Sequence, residues 1–549
     1  MAVDVIIGPP GTGKTTSLAT QVRGYVADGQ TPLVTSLTKA AATEIAGRGL
    51  LVRAEQVGTL HAHALRALDF PTLTVGQEGE WNEDNPDWDL TSGGETDVDD
   101  LTGGATGATT ADGLCESYHL LRARMVERDL WPDNVAEFAG LWEAWKAERC
   151  LSDFTDLIEH ARILDTRPPG DPSVILADEA QDHSRLELEL LRHWSRHVGT
   201  LTLVGDPWQA LYTWRGAHPA MFSDKRIMDR RAVLAQSYRV PQAVHAAACA
   251  WIKGLSDWEP IEYAPRPVAG SVERSSGSRS NPDGVLDLAE RHLDAGQSVM
   301  IQASCAYMLG GLLAECRRRG LPFGNRWAPR RYAWSPLFLR RGVTMAQRIL
   351  SLLIPLDDGE DAFQYGDNVP RWSPRDVFRF ADVLTARGIL RHGAKKKLKQ
   401  LGKAKEGISR TLVDDADLGE WFEPEAASFL RSVAVADVSV EEVLLWWEQR
   451  LPAARAQVAR YPLCVLRKHG REALSTEPRL CVGTIHSFKG AEADVVFVFP
   501  DLSSQAAVGW SQVGECRDAI LRQFYVAMTR ARESLYLCDG VGYSVDWEV

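Results

Sequence analysis

The stretch DVIIGPPGTGKTTSLATQV, from Asp4 to Val22, decides how the rest of the chain is interpreted. It opens with a short apolar run of the kind that forms buried strands. Gly8 to Thr15 then reads GPPGTGKT, which fits the pattern GxxxxGK[ST], and a helical pattern follows. Such glycines let backbone N–H groups turn inward around phosphate oxygens, where the helix N-terminus adds positive potential. The sequence therefore predicts a phosphate site in an α/β sheet.

The residues of this loop have distinct expected tasks. We expect the Lys14 ammonium to reach the β- and γ-phosphates of a nucleoside triphosphate and the Thr15 hydroxyl to ligate Mg²⁺. The predicted ligands of this loop are therefore a nucleoside triphosphate, which the family resemblance described below identifies as ATP, and Mg²⁺. The predicted nucleotide-binding residues of the loop are Gly8, Pro9, Pro10, Gly11, Thr12, Gly13, Lys14, Thr15 and Thr16.

An acidic motif follows a second apolar run. Val174–Ala177 reads VILA and leads into DEAQD, residues Asp178 to Asp182. Ligands bind at the carboxyl ends of the strands in such sheets. We therefore expect Asp178 to hold Mg²⁺ through its water shell and Glu179 to orient and deprotonate the attacking water. Similar runs predict further buried parallel strands at Leu201–Val204, Val299–Ile301 and Val495–Val498.

The net charge of −13 seems to argue against a nucleic-acid partner. Eleven acidic residues, however, lie between Gly76 and Gly113, a window without Lys or Arg. Without those eleven, 63 of the 74 acidic residues remain against 61 basic residues, so the charge of the rest does not exclude DNA. The window ends in a Gly- and Thr-rich stretch, and we predict a flexible loop or insertion there rather than core.

Two basic stretches lie in the second half of the chain. Arg387 to Arg410 holds nine Lys or Arg and one acidic residue. This pattern suits contact with phosphate, and it is also typical of a solvated helix face. The upstream patch consists of Arg317, Arg318, Arg319, Arg326, Arg330 and Arg331, interleaved with Trp327 and Trp334.

Other features of the composition predict a cytoplasmic protein. The nine scattered cysteines include no CxxC pair, which fits reduced thiols better than a disulfide framework or a zinc site. The N-terminal MAVDVIIGPP lacks the basic start of a signal peptide, and no run approaches the ~18 apolar residues of a membrane span.

Seven further strings accumulate in order along the chain, and together they resemble a superfamily 1 DNA helicase of the UvrD/Rep/PcrA family. The strings are TKAAATEI at 38–45, GTLH at 58–61, LADEAQD at 176–182, VGDPWQALYTWRGA at 204–217, QSYR at 236–239, VGTIHSFKGAEADVV at 482–496 and FYVAMTRAR at 524–532. The resemblance spans Gly8 to Arg532.

The resemblance implies two RecA-like P-loop motor domains, each interrupted by a mainly helical accessory insertion. The first motor domain would comprise residues 1–64 and 151–229, with an insertion at 65–150 that holds the acidic segment 76–113. The second would comprise 230–325 and 456–549, with an insertion at 326–455 that holds the basic segment 387–410.

The resemblance also implies roles at the nucleotide. Gln209 would touch the γ-phosphate and the attacking water, and Arg239 and Arg530 would reach the γ-phosphate as arginine fingers supplied in cis. Tyr238 would stack on adenine and Glu492 would bind the ribose hydroxyl. Together with Lys14, Asp178 and Glu179, the residues Gln209, Arg239 and Arg530 form the predicted catalytic set.

For single-stranded DNA, Tyr212 and Trp214 are the expected base-stacking residues, because an aromatic face can stack on any base. The other expected DNA contacts are Lys39, Thr59, His61, Arg215, Thr484 and His486. His63 is expected to be structural, because no nearby carboxylate or thiol cluster supports a metal site at His61 and His63.

Departures from the family lead to further expectations. Only seven residues precede Gly8 and none is Gln, and Thr16 stands where relatives often carry an arginine that stacks on the base. We therefore expect relaxed discrimination among triphosphates. Leu37 and Leu60 replace aromatic residues of the family, which predicts a salt-sensitive grip on DNA through backbone contacts.

The sequence thus predicts an ATP-dependent 3′→5′ DNA helicase acting on single-stranded and tailed duplex DNA in replication, repair or recombination. A translocase that displaces bound proteins and unwinds weakly is the alternative, and a non-motor nucleotide switch is a second. The acidic segment is compatible with a solvated loop, an autoinhibitory flap or a site that recruits a basic protein partner. The oligomeric state is left open, with a monomer favoured.

Overall fold

Two six-stranded parallel sheets organise the chain in a computed structural model of the protein. The structure describes residues 2–37, 47, 52–91, 110–222, 224, 228–325, 335–338, 342–356, 372–402 and 412–547. Helices cover the sheets and fill the segments between them, so the predicted α/β class is confirmed.

The first sheet is built from strands of the N-terminal half of the chain. The strands are β1 (Ala2–Ile7), β2 (Pro32–Ser36), β3 (Val57–Thr59), β6 (Val174–Ala177), β7 (Thr200–Gly205) and β8 (Arg230–Val233). Their order is β3-β2-β6-β7-β1-β8, and all neighbours pair in parallel. Strand β6 is buried on both faces, as its continuous apolar sequence predicts, and β7 is buried at every residue after Thr200, whereas β1 alternates between buried and half-buried residues.

The second sheet is also parallel throughout. Its strands are β11 (Ser271–Ser278), β12 (Val299–Ala303), β13 (Phe323–Gly324), β14 (Leu480–Thr484), β15 (Ala493–Val498) and β16 (Ala531–Asp539). Their order is β11-β16-β15-β12-β14-β13. Two short parallel pairs lie outside the large sheets. They are β4 (Thr72–Leu73) with β5 (Leu151–Ser152), and β9 (Gln236–Pro241) with β10 (Ala264–Arg266).

Helices connect these strands and build the segments between them. Those up to the end of the first sheet are α1 (Lys14–Ala27), α2 (Leu60–Ala67), α3 (Glu78–Asp84), α4 (Thr110–Ala123), α5 (Asp133–Glu148), α6 (Phe154–Ile163), α7 (Arg185–Ser195) and α8 (Pro219–Phe222). The remaining helices are α9 (Gln242–Ile252), α10 (Asp283–Asp294), α11 (Gly310–Arg319), α12 (Met345–Leu352), α13 (Pro374–Ala381), α14 (Ala394–Gly402), α15 (Asp415–Trp421), α16 (Pro424–Ala434), α17 (Val440–Glu448), α18 (Ala453–His469), α19 (Ser504–Trp510) and α20 (Glu515–Met528).

Both sheets are interrupted by mainly helical segments. Helices α3 to α6 lie between β3 and β6, and α12 to α18 lie between β13 and β14. The four strands predicted from apolar runs are confirmed as parts of β6, β7, β12 and β15. The residue boundaries of the motor domains and insertions stay predictions.

The acidic window contradicts the sequence prediction of a loop outside the core. Residues 78–84 form α3, and Trp81 is fully buried against Phe138, Trp142 and Trp145. Asp112 at the other end accepts hydrogen bonds from the backbone N and the Oγ1 of Thr91. Aromatic burial therefore overrides the unfavourable acidic composition, while residues 92–109 lie outside the described residues.

The basic stretch is partly helical. Helix α14 buries Leu398 and exposes the lysines around it, and Lys395 donates to the carbonyl oxygen of Asp382 at 2.7 Å. The upstream residues 326–334 lie outside the described residues. Of the helices that the structure describes, none combines the length and apolar character that crossing a membrane requires.

Candidate functional site

The loop between β1 and α1 has the compact geometry that its glycines predict. Gly11 and Gly13 have φ angles of 72° and 79°, in the left-handed region that favours glycine. A Cβ atom on Gly8 would lie 2.1 Å from Cγ of Lys14, so only glycine fits there. The Lys14 Nζ donates to the carbonyl oxygen of Gly8 at 2.8 Å, which places this ammonium inside the loop.

Strand β9 closes over this loop from the side of the second sheet. The Ser237 hydroxyl donates to the carbonyl oxygen of Pro10 at 2.7 Å, and the Tyr238 backbone N donates to that of Gly11 at 2.8 Å. A Cβ atom on Gly11 would lie 2.4 Å from Cβ of Arg239. The Tyr238 side chain is 71% exposed beside the loop.

The predicted carboxylates follow β6 directly. Asp178 is buried, and burial together with the neighbouring Glu179 charge raises the pKa of its carboxyl to about 7. Burial would also raise the pKa of Glu179, but the ammonium groups of Lys489 and Lys14 lower it to about 2. Glu179 has a φ of 51°, a strained conformation for a residue with a side chain. The charges of Lys14, Asp178 and Glu179 thus act on one another at one point of the fold.

Lys489 is a site residue that the sequence reasoning missed. It precedes β15 in the second sheet, yet its Nζ contacts Oδ2 of Asp182 and lies 3.5 Å from Oε2 of Glu179. The same ammonium lies 5.1 Å from the centre of the Tyr212 ring. The signal that could have found it was its position in the quoted string VGTIHSFKGAEADVV. Lys489 therefore joins the acidic motif to the aromatic motif across the two sheets.

A chain of hydrogen bonds connects the acidic motif to Arg530. Gln181 donates to Oδ2 of Asp182 at 2.9 Å and accepts from the backbone N of Asp206 at 2.9 Å. Gln209 donates to Oδ2 of Asp206 at 2.6 Å and accepts from Nη2 of Arg530 at 3.0 Å. The sequence reasoning assigned no role to Gln181 and Asp206, although both lie inside quoted motif strings.

Arg239 and Glu492, assigned separately to phosphate and ribose, contact each other. The Arg239 Nε donates to Oε2 of Glu492 at 2.7 Å, and Arg532 donates to the other oxygen at 3.1 Å. The Arg239 side chain is 15% exposed. Burial of the Arg530 guanidinium and, as the smaller cause, the positive charge of Arg239 lower the pKa of Arg530 to about 9. The two guanidinium groups of Arg239 and Arg530 thus repel each other electrostatically.

The two predicted stacking residues differ in exposure. Trp214 is 47% exposed, whereas Tyr212 is only 6% exposed and lies beneath it, with 6.4 Å between the ring centres. Tyr212 also lies 6.2 Å from the His486 ring. In this arrangement Trp214 presents part of its ring to solvent and Tyr212 supports it from below.

A cavity of about 250 Å³ lies beside Trp214. His61, Glu187 and Arg215 line it, and helix α4 of the first insertion forms part of its wall. Nδ1 of His61 lies 3.8 Å from Oε1 of Glu187. The structure therefore brings three predicted DNA residues, His61, Trp214 and Arg215, to one cavity.

The other predicted DNA contacts are less exposed. The Thr59 hydroxyl accepts from the backbone N of Ala62 and begins α2, while the Thr484 hydroxyl accepts from Ser487. His486 is half-buried, and burial lowers its pKa. Thr16, which is a predicted nucleotide-binding residue rather than a DNA contact, is exposed at the first turn of α1. Lys39 lies outside the described residues.

His63 has the geometry of a structural residue. It is fully buried, and its Nε2 contacts the carbonyl oxygen of Val34 at 3.0 Å. Burial lowers its pKa to about 4, so the ring is neutral at pH 7.

Family models match both halves of this site. The AAA domain model matches residues 2–215, and the model of the UvrD-like helicase C-terminal domain matches residues 463–539. These matches confirm the resemblance to the UvrD-like superfamily 1 helicases that the motif strings predict. The first model covers the phosphate loop and the DEAQD motif, and the second covers Lys489, Glu492 and Arg530.

Curated members of this family are similar over parts of the chain. The ATP-dependent DNA helicase UvrD2 of Mycobacterium tuberculosis is 28% identical over 344 residues, which cover 55% of this chain and 47% of that protein. An ATP-dependent helicase/nuclease protein of Geobacillus thermodenitrificans is 34% identical over 110 residues, 17% of this chain and 9% of that protein. The ATP-dependent DNA helicase Rep of Buchnera aphidicola is 37% identical over 65 residues, 12% of this chain and 10% of that protein.

The match spans about half the length of the UvrD2 proteins. Among solved structures, the PRRSV helicase aligns at 11% identity with a TM-score of 0.30, covering 98% of this chain and 52% of that one.

Proposed function

We propose that this UvrD-like helicase is an ATP-driven motor that translocates 3′→5′ along single-stranded DNA and unwinds duplex DNA. The observation that carries the proposal is the hydrogen-bonded chain from Asp182 through Gln181, Asp206 and Gln209 to Arg530. It runs from the acidic motif of the first sheet to an arginine beside the second. A motor needs such a connection, because closure of the cleft must complete the catalytic arrangement.

The residues present fit ATP and Mg²⁺. A Cβ atom on Gly8 or Gly11 would clash with Lys14 or Arg239, and Lys14 supplies a cation inside the loop. Thr15 and Asp178 offer hydroxyl and carboxylate oxygens, the ligands that Mg²⁺ prefers. Bound ATP would supply the phosphoryl group whose hydrolysis drives the motor. Thr16, Tyr238 and Glu492 would complete the nucleotide contacts.

In this proposal each catalytic side chain has one task. Glu179 orients the attacking water and accepts its proton, and its low pKa keeps it ionised for that task. Gln209 reports the state of the nucleotide to Asp206. Arg239 and Arg530 stabilise the negative charge that develops on transfer, a contribution of about 10³–10⁵ in rate for related enzymes.

On DNA, Trp214 stacks on bases, while His61 and Arg215 contact the strand at the adjoining cavity. Thr59, Tyr212, Thr484 and His486 hold these residues in place or contact the backbone, and Lys39 is assigned by resemblance alone. Two motor domains that grip the strand alternately convert each closure into a step.

Unwinding of 3′-tailed and 5′-tailed duplexes with ATP tests the proposal, with Lys14→Ala as the inactive control. Faster unwinding of the 3′-tailed substrate is expected. Preference for the 5′ tail would overturn the polarity. DNA-stimulated ATPase activity separates a motor from a nucleotide switch.

A protein-displacing translocase is the second candidate, because the insertions that interrupt the two sheets are short. Displacement of streptavidin from a biotinylated 3′ single strand, measured beside strand separation, distinguishes the two. Displacement without strand separation would favour the translocase.

A further inference from the structure

Two histidines and an aspartate converge at the end of α7 that lies away from the DEAQD motif. His193 lies in the last turn of α7, and His197 follows four residues later, just beyond the helix. Asp165 comes from the segment that follows α6. One ligand atom from each of the three residues lies within 4.8 Å of the other two.

The imidazole nitrogens at this point lack the partners that buried polar atoms usually have. The Nε2 atoms of His193 and His197 are shielded from solvent and have no hydrogen-bond partner among the residues that the structure describes. Oδ1 of Asp165 lies 2.9 Å from Nε2 of His193, but without hydrogen-bond geometry. One shielded ring nitrogen, Nε2 of His193, thus lies beside a carboxylate without bonding to it, and a second, Nε2 of His197, belongs to the same cluster. Buried polar atoms are normally bonded, so this arrangement indicates a ligand that binds to them.

We propose that Asp165, His193 and His197 bind a divalent transition-metal ion, with Zn²⁺ as the best match. Zn²⁺ binds imidazole nitrogen and carboxylate oxygen at about 2.0–2.2 Å, so two ligand atoms of one ion stand no more than about 4.3 Å apart. The ligand atoms of the cluster lie within 4.8 Å of one another, so they need to approach by only a few tenths of an ångström, which small side-chain rotations supply. Mg²⁺ and Ca²⁺ favour all-oxygen ligand sets, so the two imidazoles select against them.

The surroundings hold the three ligands in place. Helix α7 presents its C-terminus here, where the helix dipole favours a cation. The Nε1 of the buried Trp194 donates to the Thr166 hydroxyl at 3.3 Å, and this hydroxyl donates to the carbonyl oxygen of Ala161. These bonds fix the segment that carries Asp165 against α7.

The charge balance makes Asp165 the decisive ligand. Arg162 and Arg196 both act electrostatically on His193 and oppose a bound cation, whereas the Asp165 carboxylate favours it. Asp165 is also 79% exposed, which leaves room for water on the open side of the ion. The site is therefore a three-ligand site that tethers the end of α7 to the segment after α6.

The test measures Zn²⁺ binding to the full chain without an affinity tag, after treatment with a chelator, by competition with a chromophoric chelator. We expect the wild type to bind one equivalent of Zn²⁺ tightly. Co²⁺ bound in place of Zn²⁺ should give the visible absorption typical of a site with few ligands. His160→Ala is the matched control, because His160 is an exposed histidine on neighbouring α6 outside the cluster, and it should keep that equivalent.

His193→Ala and His197→Ala should lose the tight equivalent. Asp165→Asn should weaken binding by about tenfold or more, since even an outer-shell partner of a metal site is worth about 10–100-fold. If the histidine variants fold poorly, Asp165→Asn at its exposed position still tests the proposal. A Mg²⁺-ATPase rate equal to that of the wild type shows that a variant is folded. No tight equivalent in the wild type, the same affinity in all variants, or displacement of Zn²⁺ by millimolar Mg²⁺ would each overturn the proposal.

Discussion

Arg530 donates from Nη2 to Oε1 of Gln209 at 3.0 Å, so a side chain beside the second sheet is bonded to one that follows the first. The two residues are 321 positions apart. Arg530 is 1% exposed and also donates to the carbonyl oxygens of Val526 and Ala491. A residue bonded in this way cannot move without moving the end of α20 with it.

We expect Arg530→Lys to lower the DNA-stimulated ATPase rate by about 10³-fold, because one ammonium cannot replace the donors of the guanidinium. Gln209→Ala should lower the same rate, and the double variant should be no slower than the more severe single variant. Steady-state ATPase assays with saturating single-stranded DNA measure this. Rate losses that simply multiply would show that the two residues act independently. Equal thermal unfolding temperatures exclude misfolding.

Lys489→Met should also abolish most ATPase activity, because it removes the cation beside Glu179 and Asp182 while keeping the apolar stem. The carboxylate of Asp182 would remain buried without its cation, which is costly. Basal and DNA-stimulated ATPase rates provide the measurement. Lys253→Met, at an exposed position after α9, is the matched control and should leave both rates unchanged. Wild-type rates in Lys489→Met would contradict the coupling role.

The local parts of the site could be predicted from the sequence, and the connections across the cleft could not. The phosphate loop and the DEAQD motif each follow from one strand and the turn after it, so their positions depend on neighbouring residues. The contact of Lys489 with Asp182 joins residues 307 positions apart and depends on how two sheets pack. No local pattern encodes that packing.

The acidic window shows a different limit. Its composition predicted a flexible loop or insertion rather than core, yet Trp81 is fully buried and its Nε1 donates to the carbonyl oxygen of Trp88 at 2.7 Å. The two tryptophans among the carboxylates were the signal, because burying one large ring outweighs several exposed charges.

Trp214→Ala should weaken binding of single-stranded DNA by about 1–3 kcal/mol, the value of one stacked base, with little change in thermal stability. Tyr212→Ala should instead lower the unfolding temperature, because its ring is buried beneath Trp214. Fluorescence anisotropy with a labelled oligonucleotide and thermal unfolding separate the two effects. If Trp214→Ala bound DNA like the wild type, Trp214 would not be a stacking residue.

The buried His63 should make the first motor half sensitive to acid. Its folded pKa of about 4 lies below the unfolded value of about 6.5, so the unfolded state binds the extra proton first. The neutral His63 ring makes its full contribution to the stability of the folded state above pH 6.5. This contribution is lost progressively as the pH drops from 6.5 to 4. Between pH 7.5 and 5 the loss is about 2 kcal/mol.

His63→Gln removes this titration, so its unfolding temperature should fall less than that of the wild type between pH 7.5 and 5. Thermal unfolding followed by tryptophan fluorescence at both values gives the difference. The exposed His160 provides the control, and His160→Gln should keep the wild-type pH response. An identical pH response in His63→Gln would show that His63 does not titrate in this range.

Helix α14 offers the last prediction, on duplex DNA. Lys396 and Lys399 lie on its exposed face, while Leu398 anchors the helix in the core. If both ammonium groups contact phosphate, Lys396→Gln with Lys399→Gln should reduce the slope of log affinity against log salt by about 1.8, because each released counterion contributes about 0.9. Duplex binding at several salt concentrations measures this slope. An unchanged slope would identify α14 as a solvated face, whereas a reduced slope with unchanged binding of single strands would assign it to the duplex ahead of the motor.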